Sequence, residues 1–458
     1  MTSSVSNFVI KELSLVYKDK KIDISGLFQE LNIHDSILLP CVHGNVVILD
    51  SRGLTDKLAL DGSENLIVDI RKNKNDDADS DFAFQKVFRI FRQSDRRGVN
   101  QRSEAYVLHF ISEEFILSEQ LRVNQSYKEK YSNIARSIMK DYLNIDIDRQ
   151  IEDGGLFVES EGLKKIAIPN LHPIDAIDWC AKRCLDKNES PSFLFFENNK
   201  GYNFVSLSTL LSIAPVASLN FTPKNINLGD KTEETQFLGI KEFKVLSQFD
   251  FLKSVQNGVY AGKFIGFDPI TRTIAQRDIT FDDHYNTGEH GNKVPNLAVV
   301  ENVKGLNNTQ MFDAKQSVYV FGYYRKDNEF INEKDPESLN YVDDPYKYIF
   351  QRRAIIQNLM TQRVQMILPG NFQITSGVNV KLLVPKIGQI LKNEDNLDKS
   401  LYGNHLIIAT HHCIQPNKHE VVIEAVSDSS NKEYGILSSK PIQDAGYNQV
   451  DDQGRGLF

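Results

Sequence analysis

One tryptophan and four cysteines in 458 residues are the first scarcities of this sequence. Glycan-binding surfaces lean on exposed tryptophan, so a single Trp weighs against a carbohydrate-binding module. Four cysteines do not make a disulfide framework in a chain of this length and suit a reducing compartment. No run of about 18 apolar residues occurs, so no helix is expected to span a membrane. The opening Met1-Thr-Ser-Ser-Val-Ser lacks a basic segment followed by an apolar one, so no secretory signal is expected. The formal net charge of −8 argues against a strongly basic nucleic-acid surface. Neither GxGxxG nor GxxxxGK[ST] is present, and neither Gly-x-Ser-x-Gly nor His-Glu-x-x-His. A paired-carboxylate glycosidase has no motif to lack, so that class stays open. Glu113-Glu114 and Asp343-Asp344 are adjacent carboxylates, but sequence neighbours more often point apart into water.

What is present reads as a soluble globular chain with 41% hydrophobic and 25% charged residues. At roughly 100–200 residues per domain it holds three or four domains. The abundance of Phe and Tyr favours strands, and the fold class predicted is α+β, β-rich. Residues 1–120 read as a β-domain. Phe8–Leu13 and Lys21–Ser25 form a first hairpin, Ser36–Leu39 and Val46–Asp50 are strands around a turn at His43-Gly44-Asn45, and Leu66–Ile70 alternates. Lys72–Asp81 is a solvated loop. Val87–Phe91 and Ala105–Ile111 follow as strands, joined through Arg92–Ser103. That connection carries four arginines and reads as a solvated loop tip more readily than as a phosphate contact.

Residues 121–212 turn helical. Ser126-Tyr-Lys-Glu129 has capping-box spacing, and Tyr127, Tyr131, Ile134, Ile138 and Tyr142 form a stripe behind it. Pro173 starts a second helix with Ile174, Ile177, Ala181 and Cys184 on one face. Phe193–Phe196 and Asn203–Leu207 make a hairpin. Residues 213–285 return to strands at Lys241–Leu246 and Gly258–Ile265. Residues 286–344 are a polar excursion with a strand-like piece at Val318–Tyr324. Asp344-Pro345 then opens a long helix, predicted over Tyr348–Ile367 and stopped by Pro369-Gly370-Asn371. Phe372–Ile374, a turn at Ser376-Gly377, and strands Val378–Val384, Leu406–Ile414 and Glu420–Val426 complete a small antiparallel barrel. Residues 428–458 are a polar tail too poor in apolar residues to fold alone.

Two clusters carry metal-ligand residue types. Cys180 and Cys184 sit four apart on a helix, yet a zinc site needs two more ligands and none is evident. Small buried thiols are the commoner explanation. His405, His411, His412, Cys413 and His419 form the densest group. Adjacent strand residues face opposite ways, so His411 and His412 do not readily share an ion, and one of them is read as a partly exposed barrel residue. No catalytic, cofactor-binding or metal residue is assigned.

Several stretches, in order, resemble the central baseplate hub proteins of contractile-tailed bacteriophages. They are Phe28-Gln-Glu-Leu-x-Ile33-x-Asp35-Ser36 running into Gly44–Asp50 and Leu60-Asp-Gly62-x-Glu64, then Tyr106–Ser112 with Glu114 and Ser126-Tyr127. Pro173–Trp179 and Phe195-Phe-Glu197-Asn198-x-x-Gly201 with Phe204 and Ser206-Leu207 come next. Phe249-Asp250, Gly258-x-Tyr260, Phe267-Asp268 and Gly370-Asn371-Phe372-x-Ile374-x-x-Gly377-x-x-Val380 close the series. The resemblance, shared in architecture with the hub part of type VI secretion spike proteins, implies two tube-type antiparallel β-barrels per chain. These are a first barrel domain at 1–120, a helix-plus-hairpin domain at 121–212, and a second barrel split between 213–285 and 345–427. The inserted excursion at 286–344 and the tail at 428–458 have no counterpart. It implies a non-enzymatic homotrimer in the virion baseplate, assembled in the host cytoplasm. The trimer would adapt the six-fold tail tube to a three-fold spike around a channel that DNA crosses. Tail tube proteins, a central spike with or without a lysozyme domain, and baseplate wedge proteins are the implied partners, with no membrane and no specific nucleic acid. The acidic balance suits a conduit that does not hold DNA. A tail-associated peptidoglycan hydrolase and a monomeric receptor- or carbohydrate-binding tail module are the competing readings.

Overall fold

The computed structural model describes residues 8–18, 20–57, 60–72, 83–221, 239–269, 272–280, 285, 288–295, 318–323, 345–386 and 397–431. The chain is mixed α+β and strand-rich. Its frame is one 14-stranded sheet. The first part runs, in sheet order, Phe28–Ser36, His43–Asp50, Ser103–Ser112, Ala83–Asn100, Asn65–Lys72, Phe8–Tyr17 and Lys20–Asp23, each antiparallel to the next. Alternate residues face inward, as a pleated strand requires, and Leu13, Leu31, Val46, Ile48, Leu66, Val68, Phe88, Leu108 and Phe110 meet in one core.

A second run of strands gathers its own core from Leu219, Val364, Met366, Leu368, Val380, Leu382, Ile407, Val421 and Ile423. Here Glu242–Ser247, Gln362–Pro369, Lys418–Ser427, Gly403–Gln415 and Asn379–Leu383 pair antiparallel in succession. Ala217–Phe221 runs parallel to both Asn379–Leu383 and Gly239–Ile240. A bend at Lys241 separates Gly239–Ile240 from Glu242–Ser247, so the chain turns there from one edge of this run toward the other. The two parts join through one antiparallel ladder, Leu31–Ser36 against Ala409–Ile414.

Helix Tyr131–Leu143 packs on helix Pro173–Ala181 and the hairpin Phe193–Asn198/Gly201–Ser206, burying Tyr131, Ile134, Ile138, Ile174, Ile177, Phe193 and Phe204. Every residue of Phe193–Asn198 is buried, because this hairpin is wedged between its own helices and the large sheet. A separate three-stranded sheet, Ala261–Asp268, Thr273–Thr280 and Val318–Tyr323, rests Phe264 and Ile279 on Phe350.

Five expectations are corrected. The helix ends early: Ile349–Leu359 is helical, but Gln362–Pro369 is a strand. Ile356, Met360 and Ile367 fit a helical period, while Val364, Met366 and Leu368 fit period two. Ladders on both sides, to Lys418–Ser427 and Glu242–Ser247, decide for the strand. Ser126–Lys130 pairs with Leu163–Ala167 instead of capping a helix, which starts only at Tyr131. The strand expected at Ser36–Leu39 lies earlier, at Phe28–Ser36, and His43-Gly44-Asn45 opens a strand rather than forming a turn. Gly44 is needed there, since a Cβ would collide with the Asn32 carbonyl and the Phe110 ring. Arg92–Ser103 is not a loop: its strands continue to Asn100 and resume at Ser103, though the tip is exposed as expected. Residues 73–82, Asp343-Asp344 and most of the excursion and tail lie outside the described residues.

Candidate functional site

Two of the stretches that carry the resemblance meet in space. The Glu197-Asn198-Asn199 tip of the hairpin reaches the turn at Phe372–Gly377, from which it is separated by more than 170 residues. The Asn198 Nδ2 donates to the Ser376 carbonyl (2.8 Å), and the Asn199 Nδ2 to the Phe372 carbonyl (3.0 Å). Gly201, at φ +117°, makes the return turn, and Gly377, at φ +84°, lets the chain pass the Phe196 ring.

Glu197 is 1% exposed, and its charge is met from the first part of the sheet. The Val42 amide donates to Oε2 at 2.8 Å, the Ser112 hydroxyl at 2.5 Å, and the Lys86 ammonium pairs with Oε1. Lys86 also lies over the Phe88 and Tyr202 rings. Nearby, Glu114 accepts from the Tyr202 hydroxyl at 3.1 Å. A buried ion pair is tolerated when its remaining lone pairs are hydrogen-bonded, as here.

Asp35, near the end of Phe28–Ser36, takes the other side of the junction. Its Oδ2 accepts from the Ser376 amide (3.0 Å), the Ser376 hydroxyl (3.2 Å) and the Thr375 hydroxyl. Burial raises its carboxyl to about 6, against the pull of these bonds. First sheet part, hairpin and second sheet part are thus tied at one buried polar node. Its hydroxyls and carboxylates bind segments of the chain to one another.

The predicted ligand clusters resolve differently. Cys180 and Cys184 are buried among apolar side chains, and burial raises both thiols. His411 and His412 do face opposite ways. His412 is buried, with Nδ1 3.2 Å from His419 Nε2 and the Phe372 ring beside both. Burial lowers both imidazoles, His419 to about 4, so the pair is neutral. His411 is the half-buried one. Its Nε2–H donates to the Asn32 Oδ1 at 2.7 Å, and its ring stacks on His34 (4.2 Å between centroids), which stacks in turn on His43 (5.4 Å). His34 and His43 were missed as partners because only the ladder between residues 31–36 and 409–414 brings them there. Stacked rings show faces to each other, and among the described residues no group of three or more His, Cys, Asp or Glu is arranged to hold a metal. His405 is buried and lowered to about 4 by burial. Glu114 belongs to the junction, as given above.

Residues 288–295, at the start of the excursion, are pinned to the end of the sheet, whereas Val318–Tyr323 joins the small three-stranded sheet. Val294–Pro295 pairs with Ser429–Ser430, and the Asn292 amide group bridges Asn404, Ser427 and Ser429. His290 lies between two acceptors, Asp428 Oδ2 at 2.6 Å and the Tyr285 carbonyl at 2.8 Å.

No protein-family model matches the sequence, and no curated protein matches it. Solved structures do. The tail protein from Neisseria meningitidis MC58 aligns with a TM-score of 0.50 at 12% identity, over 92% of this chain and 97% of its own. A 43 kDa prophage tail protein from Shewanella oneidensis aligns at 0.48 and 12% identity, over 92% and 99%. A type VI secretion system component from E. coli aligns at 0.37 and 10% identity, over 93% and 78%. At such identities the likeness is one of fold: over 92% of its length this chain aligns with the fold of the Neisseria tail protein.

Proposed function

We propose that this chain is a structural, non-enzymatic subunit of a contractile-tail hub, in which three copies form a ring between tail tube and spike. One observation carries the reading: the fold likeness to a tail protein spans 92% of this chain and 97% of that protein, which supports a structural tail role for the whole aligned part. Each chain supplies two tube-type barrels, 1–120 and 213–285 with 345–427, and the separate cores support this division. The helix-plus-hairpin domain, 121–212, braces them. The excursion, 286–344, and the tail, 428–458, meet at the end of the second barrel, where Val294–Pro295 pairs with Ser429–Ser430. Partners are further copies, the tube, the spike and wedge proteins, and the site of action is the virion baseplate.

A rigid node suits an adaptor, because a ring under load must keep its two barrels in fixed register. Light scattering over a concentration series tests the assembly. A mass three times 52.2 kDa is expected, and a monomer at every concentration, with and without the tube and spike, overturns the trimer. Clearing of peptidoglycan in a zymogram by the purified chain overturns the non-enzymatic assignment.

A further inference from the structure

The end of helix Pro173–Ala181 and the face of helix Ile349–Leu359 enclose an open cavity of about 530 Å³, lined by Lys182, Arg183, Arg352, Arg353, Tyr348 and Ile349 among others. Its size falls within the range of roughly 300–1,000 Å³ usual for ligand pockets. Four cations converge here in a chain whose net charge is −8. Asp178, paired with Lys182 at 2.5 Å, is the carboxylate beside them.

The cations are held, not merely clustered. Arg352 is anchored through Nη1 to the carbonyls of Pro191 (3.3 Å) and Phe193 (2.5 Å). Carbonyls orient a guanidinium without neutralising it. Arg183 stacks on Trp179, 3.8 Å from the ring centroid, and faces the Tyr348 ring at 5.6 Å. Arg353 is exposed and steadied by Asn257 at 2.9 Å. Side chains positioned in this way need little ordering when an anion arrives.

We infer that this cavity binds a short acidic segment of a partner polypeptide. Arginine forks fit carboxylates in bidentate fashion, and the exposed Ile349 offers apolar surface for a side chain next to those carboxylates. A nucleic acid is disfavoured. Its phosphates need an extended basic track, whereas the charge here is confined to one concavity of an acidic protein. The inference stands on the cavity and does not depend on the trimer.

Trp179 is the only tryptophan of the chain and touches Arg183, so its fluorescence reads the site directly. The purified full chain is titrated with a capped peptide of Glu and Asp around one Leu, with a Lys counterpart, a short single-stranded DNA and inorganic phosphate as comparisons. The acidic peptide should give a saturable change that weakens with salt. The double variant Lys182→Glu, Arg353→Glu, both at exposed positions, should lose binding at least about tenfold with an unchanged circular dichroism spectrum. No saturable change, equal binding by the double variant, or tighter binding of the DNA or of phosphate alone each overturns the inference.

Discussion

Asp35 Oδ2 accepts a 3.0 Å hydrogen bond from the amide of Ser376, 341 residues further along the chain. Together with Thr375 and the Ser376 hydroxyl, this contact joins the first part of the sheet to the turn that leads into the second.

The raised Asp35 carboxyl sets a pH dependence of stability. Burial lifts it to about 6 in the fold, while the unfolded value is about 3.9. Between these values the native state holds a proton that the unfolded state has lost. Stability therefore falls as pH rises from about 4 to about 6, by roughly 2–3 kcal/mol, and is flat above. Asp35→Asn keeps an acceptor oxygen and should abolish this slope, whereas Asp35→Ala, which also lacks the titrating group, should cost about 2–4 kcal/mol near pH 4 by stranding the Ser376 and Thr375 donors, and less above pH 6 by the height of the slope. Denaturant unfolding at pH 4.5 and 7 measures both, and an Asn variant with the wild-type slope would refute the assignment.

Glu197 and Lys86 should be coupled. Removing Lys86 leaves a buried carboxylate, and removing Glu197 leaves a partly buried ammonium and the Val42 and Ser112 donors without their acceptor charge, so Glu197→Gln is expected to destabilise by about 1–3 kcal/mol. In a double-mutant cycle with Lys86→Met, the second change should cost clearly less in the Glu197→Gln background. Additive effects would mean that the pair contributes nothing as a pair.

His290 should hold its proton to higher pH than an ordinary histidine. Burial alone would lower its imidazole, but the hydrogen bond and charge of Asp428 outweigh this and raise it. Both ring nitrogens face acceptors, so both must donate. The resulting stabilisation is full below about 6.5 and is lost as pH climbs through the raised folded value. The His290 ring protons, followed by NMR, should titrate above the unfolded value, and His290→Gln should remove the corresponding loss of stability. A titration midpoint at or below the unfolded value would contradict this.

Phe321 and Tyr323 are 75% and 77% exposed on the free face of the small sheet, beside Tyr319 and Ile274. Aromatic side chains gathered in this way gain from burial against another subunit. On the proposed trimer, Phe321→Ser with Tyr323→Ser should lower the native mass at a given concentration without lowering Tm. An unchanged association equilibrium would remove this face from the subunit contact.

Elements whose pattern is short-range were legible beforehand. Pro173–Ala181 follows from Pro at its first position and apolar residues at helical spacing, the 193–206 hairpin from two apolar runs around Asn198–Gly201, and Asn379–Leu383 from strict alternation. Signals that two periods share were not. Gln362–Pro369 reads as helix until neighbours on both sides supply ladders, and Ser126–Lys130 keeps a capping-box spacing that pairing with Leu163–Ala167 overrides.

The sequence alone settled the fold class, the apolar face of Pro173–Ala181 and the opposite facing of His411 and His412, because each depends on which residue types stand at fixed local spacing. Only the tertiary structure decided the node. Asp35, Lys86 and Glu197 are ordinary charged residues in their own segments; Asp35 and Glu197 become buried, Glu197 and Lys86 paired, and Asp35 shifted in its titration only where chain segments up to 341 residues apart exclude water. Desolvation is a property of packing, and no local pattern encodes it.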